Sequence, residues 1–259
     1  MASSDSDGHA GQEGDTFLYF AYGSNLLTER IHLRNPSAVF CCVARLQKPA
    51  DLRKETGEGG RCWKPDREFM DSPERKTEDF KLDFGNFQGK MSERWHGGIA
   101  TIFQSPGDEV WGVVWKMNKS NLSSLDEGVL LQGHQGENEP TEAGFQTVKI
   151  DGGQVEVYQM KLLCGQVQEG VKSGVYVVIE IKVSTQEGKE ITCRSYLMTN
   201  YEQAPPSPQY KKVICMGAKE NGLPQEYQEK LKAIEPNDYK GKISDEIEDI
   251  IKKGESKLS

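Results

Sequence analysis

The chain has 259 residues, a formal net charge of −8, 36% hydrophobic residues and 28% charged residues. This length allows one large domain or two small ones, and the acidic balance argues against nucleic acid as a partner. No apolar run reaches the length of a bilayer span, so no membrane partner is predicted. Residues 1–15 are polar and lack an apolar stretch, which predicts a disordered tail rather than a signal peptide.

The cysteines and histidines give no metal or thiol motif. Without an export signal, the six cysteines are expected to be reduced, and they show no C-x-x-C spacing. Cys41 and Cys42 are neighbours in an apolar run and are interpreted as small core residues. The four histidines are scattered and form no H-E-x-x-H pattern. The sequence therefore predicts no metal site.

The first patterned stretch is Phe17–Leu27, FLYFAYGSNLL. Its aromatic first half has strand propensity, Gly23 ends the run, and Ser24 and Asn25 are good helix N-caps. A strand that turns directly into a helix leaves backbone N–H groups directed at one spot, which suits a carboxylate or phosphate. No G-x-G-x-x-G or Gly-Lys-Ser/Thr motif is present. The alternative is an ordinary connection that binds no ligand.

The next segments alternate between strand patterns and loop patterns. Ala38–Leu46 predicts a buried strand, whereas Lys48–Glu78 is charge-dense and predicts a long surface loop or disordered insert. Asp79–Phe84 alternates and predicts another strand. Gly97–Gln104 and Glu109–Lys116 flank a Ser-Pro-Gly-Asp turn, which predicts a hairpin.

A second irregular region interrupts the middle of the chain. Ser120–Glu127 predicts a short helix, and Gly128–Val167 then begins as a loop and contains an Asp-Gly-Gly turn typical of an extra hairpin. Val171–Val183 and Ile191–Thr199 are expected to pair as strands. Tyr201–Pro208 contains three prolines and is expected to lack regular structure.

The C-terminal part is predicted to be helical. Ser207 before a proline marks the start of a helix that ends near Asn221, and a second helix follows Pro224. Lys242–Lys253 has isoleucines on one face and predicts an amphipathic helix, and residues 254–259 are expected to fray. Strands followed by helices predict the α+β class, with a barrel or a strongly curled sheet.

By elimination, carboxylates are the candidate general acids and bases. Glu169 and Glu127 each stand in a Glu-Gly-Val sequence, Glu169 before a predicted strand and Glu127 after a predicted helix. A carboxylate at a strand mouth near the Gly23 turn could serve as a base with a pKa raised by burial. The alternative is a surface glutamate in a turn. Tyrosine hydroxyls near the same place can orient a polar substrate; the candidates are Tyr19, Tyr22, Tyr196 and Tyr210.

Several segments together resemble the γ-glutamylcyclotransferase family of the cytosolic vertebrate type. They are FLYFAYGSNLLTERI, WHGGIATIFQSPGDEVWGVVWKM, LDE, QEGV and ITCRSYLMTNYE. The resemblance implies an α+β fold, with a small mixed β-barrel flanked by helices, in one domain over residues 16–253 with inserts at 48–78 and 128–167. It also implies a cytosolic homodimer in glutathione turnover that needs no cofactor and releases an amino acid and 5-oxoproline from a γ-glutamyl amino acid.

The resemblance also implies roles for individual residues. The substrate's own α-amino group attacks its γ-carbonyl, so the protein must hold the chain bent and move protons. The family's catalytic glutamate, in Gln-Glu-Gly-Val, falls on Glu169, and Tyr196 is a weaker candidate for the pocket wall. The residues expected to bind the γ-glutamyl group are Tyr19, Phe20, Ala21, Tyr22, Gly23, Ser24 and Tyr210.

The sequence departs from the family pattern at the catalytic glutamate. In the family, Leu-Asp-Glu runs directly into Gln-Glu-Gly-Val, but here a long insert separates Glu127 from Gln168. Glu127 is therefore an alternative base, although Glu169 is preferred because it precedes a strand that would fix it. Two other functions stay open. One is a catalytically impaired γ-glutamyl-binding or interaction protein, and the other is a related cyclotransferase acting on glutathione or γ-glutamyl-ε-lysine.

Overall fold

The computed structural model describes residues 15–46, 79–130 and 175–258. The strands are β1 Thr16–Ala21, β2 Val39–Leu46, β3 Phe80–Phe87, β4 Ile99–Gln104, β5 Trp111–Asn118, β6 Val177–Thr185, β7 Glu190–Leu197 and β8 Tyr201–Gln203. The helices are α1 Thr28–His32, α2 Leu122–Leu130, α3 Pro208–Glu220, α4 Gln225–Ala233 and α5 Asp245–Leu258. Two short 3₁₀ turns, Ser24–Leu26 and Lys119–Asn121, precede α1 and α2.

Five strands form a closed barrel in the order β1-β5-β2-β6-β7, and β4-β3-β8 form a separate sheet. The barrel closes where β1 lies parallel to β7, with Tyr19 opposite Arg194, and the other neighbouring barrel strands are antiparallel. The predicted α+β class with a small mixed barrel flanked by helices is confirmed. The closure places the end of β1 beside Tyr196, the aromatic residue of β7.

The predicted hairpin between β4 and β5 is wrong. The turn exists, since the Asp108 amide donates to the Ser105 carbonyl at 3.2 Å, and Gly107 has a φ of 83°. However, β4 pairs with β3, whereas β5 pairs with β1 and β2 inside the barrel. A turn can connect two sheets as well as two paired strands, because its local chemistry does not select the partner of each strand.

The first half of β2 is not buried as predicted. Val39 and Phe40 are 63% and 47% exposed, Cys41 is exposed and Cys42 is half-buried. The register with β5 skips Cys41, because a bulge lies between Phe40 and Cys42. The interpretation of both cysteines as core residues is therefore wrong for Cys41.

Several element boundaries differ from those predicted. The helix α2 continues to Leu130, into the segment expected to be an insert, and β6 begins at Val177. Three residues of the proline-containing segment form β8, which pairs with β3. The expected frayed end is helical up to Leu258, because Gly254 is buried and lies directly against Met216.

The helix α3 begins and ends where the sequence predicts. The Ser207 hydroxyl accepts a hydrogen bond from the Tyr210 amide at 3.2 Å, and Asn221 is the C-cap. Along α3, Gly217 packs directly on the backbone of Leu26 and Leu27. This contact fixes the turn after β1. No helix in the described ranges is long and apolar enough to cross a membrane.

Candidate active site

The turn after β1 forms an elbow, defined here as Tyr22–Asn25. Its carbonyls accept bonds from the residues that follow: the Leu26 amide donates to the Gly23 carbonyl at 3.0 Å, and the Leu27 amide donates to the Ser24 carbonyl at 3.2 Å. The amides of Gly23 and Ser24 precede these bonds at the N-terminal end of the turn, where no side chain caps them and Ser24 hydrogen-bonds to Tyr210. The sequence prediction of a strand followed directly by an amide-rich turn matches this geometry.

Tyr210 faces the elbow from α3. Its hydroxyl oxygen accepts a hydrogen bond from the Ala100 amide at 3.1 Å, and the residue is only 1% exposed. Burial raises the pKa of Tyr210, while hydrogen bonds from Ala100 and Ser24 limit the rise. A Cβ at Gly23 would lie 3.0 Å from the Ala100 Cβ and 3.4 Å from the Tyr210 hydroxyl oxygen. Glycine at this position therefore allows the close approach.

A cavity opens between the elbow, β4 and β7. It is narrow, with about 30 Å³ open to the centre of a water molecule, and its empty space reaches about 340 Å³ when the solvent at its mouth is included. Its lining residues are Tyr19, Tyr22, Gly23, Ser24, Asn25, Ala100, Val129, Tyr176, Ser195, Tyr196 and Tyr210. The structure thus brings together five of the seven residues expected to bind the γ-glutamyl group. The other two, Phe20 and Ala21, are fully buried in the core and do not line the cavity.

Hydrogen bonds fix the tyrosines around the cavity. The Tyr22 hydroxyl donates to the Tyr196 carbonyl at 2.5 Å, and the Tyr176 hydroxyl donates to the Ala100 carbonyl at 2.5 Å. The amide group of Asn25 donates to the Tyr19 hydroxyl at 3.1 Å. Burial raises the pKa of Tyr19 to about 12 and the pKa of Tyr22 and Tyr176 well above the usual value of tyrosine. At neutral pH these side chains are therefore neutral hydrogen-bonding groups.

A buried cation, Arg30, lies close enough to Tyr19 and Tyr210 for its charge to act on both. Arg30, on α1, is 3% exposed, and its Nε has no hydrogen-bond partner among the described residues. Burial, followed by the nearby charge of Arg94, lowers the pKa of Arg30 to about 10, so it is charged at neutral pH. Its charge also acts on Tyr19 and Tyr210. The positive potential behind the elbow favours a ligand that carries a carboxylate.

Sequence reasoning did not select several lining residues as candidates. Asn25 belongs to the Tyr-Gly-Ser-Asn motif, and this was the available signal for it. The other lining residues come from separate parts of the chain. Ser195 lies on the barrel strand β7, Ala100 on β4 of the second sheet, Val129 on α2 and Tyr176 just before β6, so only the tertiary fold brings them to the elbow.

The structure describes one of the two candidate bases, Glu127, but not the other, Glu169. Glu169 and its Gln-Glu-Gly-Val segment lie outside the described residues. Glu127 lies on α2, is exposed and does not line the cavity, whereas Val129 does line it. Residues two apart on a helix do not share a face, so Glu127 and Val129 point in different directions. In the described ranges, no carboxylate lines the cavity, and no group of His, Cys, Asp and Glu residues is arranged to hold a metal ion.

Comparison with known proteins identifies the family. The model of the AIG2-like family matches residues 153–231. The chain is 69% identical over 259 residues to the gamma-glutamylcyclotransferase of Mus musculus, covering all of both chains. It is 61% identical over 256 residues to that of Homo sapiens, covering 99% of this chain and 98% of the human one. A solved structure of a gamma-glutamyl cyclotransferase, 62% identical, superposes with a TM-score of 0.63 over 92% of this chain and 99% of the other. The resemblance of the motifs is confirmed, and the chain belongs to the γ-glutamylcyclotransferase family of enzymes.

Proposed function

We propose that this protein cleaves γ-glutamyl amino acids into 5-oxoproline and the free amino acid, at the cavity beside the elbow. The observation that carries the proposal is the match to proteins named gamma-glutamylcyclotransferase over essentially the whole chain. The elbow supplies a matching place, because Ser24 and Tyr210 meet there in a cavity fixed by hydrogen bonds.

The cavity suits the γ-glutamyl end of the substrate. Its α-carboxylate needs hydrogen-bond donors and positive potential. The turn begins at Gly23 with no side-chain cap on its amides, and the buried Arg30 supplies positive charge. The neutral hydroxyls of Tyr19 and Tyr22 can orient the polar parts of the chain. Holding the substrate folded brings its α-amino group to its own γ-carbonyl, so proximity supplies much of the rate.

Glu169 is the proposed base. It would accept the ammonium proton of the substrate and return a proton to the leaving amine. Support comes from the family motif Gln-Glu-Gly-Val and from chain continuity, since Tyr176, a short distance further along, lines the cavity just before β6. Glu127 is a poor substitute, because it is exposed on α2 and lies on a different side of the helix from Val129.

Replacing Glu169 by glutamine tests both the base and the reaction. We expect 5-oxoproline formation from γ-glutamyl-alanine to fall by about 10²–10⁴-fold, the usual contribution of a general base. Glu127→Gln is the matched control and should keep the rate of the unaltered protein. Undiminished turnover by Glu169→Gln would refute the assignment of the base. Absence of turnover in the unaltered protein, with ligand binding retained, would instead indicate a catalytically impaired γ-glutamyl-binding protein.

We also propose the finer properties that the family resemblance implies. These are a homodimer, a cytosolic location and a role in glutathione turnover through cleavage of a carbon–nitrogen bond. Sedimentation equilibrium of the full chain tests the dimer, with a monomer mass as the contrary result. Comparing turnover of γ-glutamyl-alanine, glutathione and γ-glutamyl-ε-lysine tests the substrate, and we expect γ-glutamyl-alanine to be preferred.

A further inference from the structure

Three polar side chains form a closed network behind one wall of the cavity. The Tyr196 hydroxyl donates to the Asp126 Oδ1 at 2.5 Å, and Arg194 Nη2 donates to both carboxylate oxygens of Asp126 at 2.8 Å. The Arg194 Nε also donates to the Tyr196 hydroxyl oxygen, at 3.3 Å. Each member therefore contacts the other two, and the Tyr196 hydroxyl donates its proton to Asp126, which does not line the cavity.

The fold builds this network from a strand and a helix. Arg194 and Tyr196 are two residues apart on β7, so both side chains stand on the same face of the strand. Asp126 reaches them from α2 and belongs to the Leu-Asp-Glu segment that the family resemblance includes. The side chains of Arg194 and Asp126 are 15% and 24% exposed, whereas Tyr196 is 2% exposed. A partly exposed ion pair thus holds a buried tyrosine.

Tyr196 contacts two of the predicted binding residues, Tyr19 and Tyr22. Its backbone carbonyl accepts the hydrogen bond from Tyr22, and its ring meets the Tyr19 ring edge to face with centroids 5.7 Å apart. Both Tyr19 and Tyr22 line the cavity with it. A change in the orientation of the Tyr196 ring therefore reaches Tyr19 directly, whereas the Tyr22 contact ties the elbow to the Tyr196 backbone.

We propose that Asp126 is a positioning residue for the reaction, acting through Tyr196, whose ring it holds against the γ-glutamyl cavity. The inference rests on the proposed function, because it assigns a role in the same site. Among the hydrogen bonds of the described residues, Tyr196 is the lining residue that bonds to Asp126, and Asp126 does not line the cavity itself. Its effect on turnover should therefore depend entirely on the hydroxyl of Tyr196.

The electrostatic environment makes the contact observable. Burial and the hydrogen bond to Asp126 raise the pKa of Tyr196, whereas the charge of Arg194 lowers it. The other titratable groups beside Tyr196 are Tyr19 from β1, whose ring packs against its ring, and Tyr22 from the elbow, which donates to its backbone carbonyl. Replacing Asp126 by asparagine removes the negative charge and leaves the Arg194 cation beside the hydroxyl. The pKa of Tyr196 should then fall.

A double-mutant cycle on the full-length protein tests the inference. Asp126→Asn and Tyr196→Phe should each lower kcat/KM by about tenfold, since small misplacements in a substrate cavity are costly. In the Tyr196→Phe background, Asp126→Asn should change kcat/KM by less than about twofold, the mark of coupled residues. Asp126→Glu should recover part of the activity. Equal losses from Asp126→Asn in both backgrounds, or no loss in either, would overturn the proposal.

A second readout and a control separate positioning from folding. Tyrosinate absorbance should appear at lower pH in Asp126→Asn than in the unaltered protein, and this difference should vanish in the Tyr196→Phe background.

Glu190→Gln is the control. It removes the carboxylate of another ion pair of β7, in which Glu190 contacts Lys182 at 2.7 Å, and it should leave kcat/KM unchanged. If Asp126→Asn does not fold, the single Tyr196→Phe variant decides, because unchanged kcat/KM there would overturn the proposal. An unaltered protein that forms no 5-oxoproline refutes the proposed function, and the titration still tests the contact.

Discussion

At the scale of single residues, the hydroxyl of Tyr210 has both a structural and a binding role. Replacing Tyr210 by phenylalanine removes the acceptor of the Ala100 amide and leaves that buried N–H without this partner. An unsatisfied buried donor costs about 1–3 kcal/mol, so the free energy of unfolding should fall by that amount. Because the same oxygen faces Ser24, we also expect kcat/KM to fall by about tenfold or more. Urea unfolding and 5-oxoproline release measure the two effects.

Tyr227 supplies a matched control for that substitution. It is a buried tyrosine on α4 that does not line the cavity. Tyr227→Phe should leave kcat/KM within about twofold of the unaltered protein, whatever it does to the free energy of unfolding, because mutations at distant sites act independently. If Tyr210→Phe lowered stability but kept full activity, its hydroxyl would be structural and would not belong to the proposed substrate site.

At the scale of elements, the packing of α3 on the elbow depends on Gly217. A Cβ there would lie 2.4 Å from the Leu27 backbone nitrogen and 2.5 Å from the Leu26 backbone carbon. Backbone cannot move aside as a flexible side chain can, so Gly217→Ala must separate α3 from the turn. We expect a loss of about 1–3 kcal/mol in the free energy of unfolding, despite the better helix propensity of alanine. We also expect lower kcat/KM, because the elbow carries Ser24.

The same substitution in α2 distinguishes packing from propensity. A Cβ at Gly128 would have its nearest neighbour, the Arg34 Cδ, at 3.6 Å, which is an ordinary contact. Gly128→Ala should therefore be neutral or stabilise the protein by up to about 1 kcal/mol. Circular-dichroism melts of both variants test this contrast, and equal destabilisation by the two would contradict the packing argument.

Elements with local signals could be read from the sequence. The start of α3 followed from Ser207 and its proline, and the pairing of β6 with β7 followed from two alternating runs around a short turn. The pairing of β4 with β3 could not be read, because partner choice depends on the whole sheet. The same holds for the exposed start of β2, since a bulge that turns Cys41 outward has no local signature.

The candidate site divides in the same way. Gly23, Ser24 and Asn25 are contiguous, so one motif predicted the elbow. Tyr176, just before β6, bonds to Ala100 of β4, and Asp126 of α2 bonds to Tyr196 of β7. These contacts depend on the tertiary fold, which no local pattern encodes. The resemblance to a family supplied Tyr210 as a site residue, since nothing in its own segment distinguishes it from a core tyrosine.

At the scale of the whole molecule, the buried tyrosines around the cavity set an alkaline limit to stability. The pKa of an unfolded tyrosine is about 10, whereas burial raises the pKa of Tyr19 to about 12 and raises the pKa of Tyr22, Tyr176 and Tyr210 as well. Above pH 10 the unfolded chain loses protons that the folded protein keeps. By linkage, the free energy of unfolding should be undiminished below pH 10 and fall as the pH rises toward 12.

The contribution of one tyrosine to this decline can be isolated. A rise of two pKa units at Tyr19 corresponds to about 3 kcal/mol between pH 10 and 12. Arg30, whose pKa burial lowers to about 10, acts in the opposite direction, so the net slope alone is not diagnostic. Urea unfolding at pH 9, 10 and 11 should therefore be compared between the unaltered protein and Tyr19→Phe. The variant should lose less stability with rising pH, because it has one fewer retained proton. Parallel pH profiles would mean that Tyr19 ionises alike in the folded and unfolded protein. Its hydroxyl would then be exposed to solvent, and not buried among the tyrosines that line the cavity.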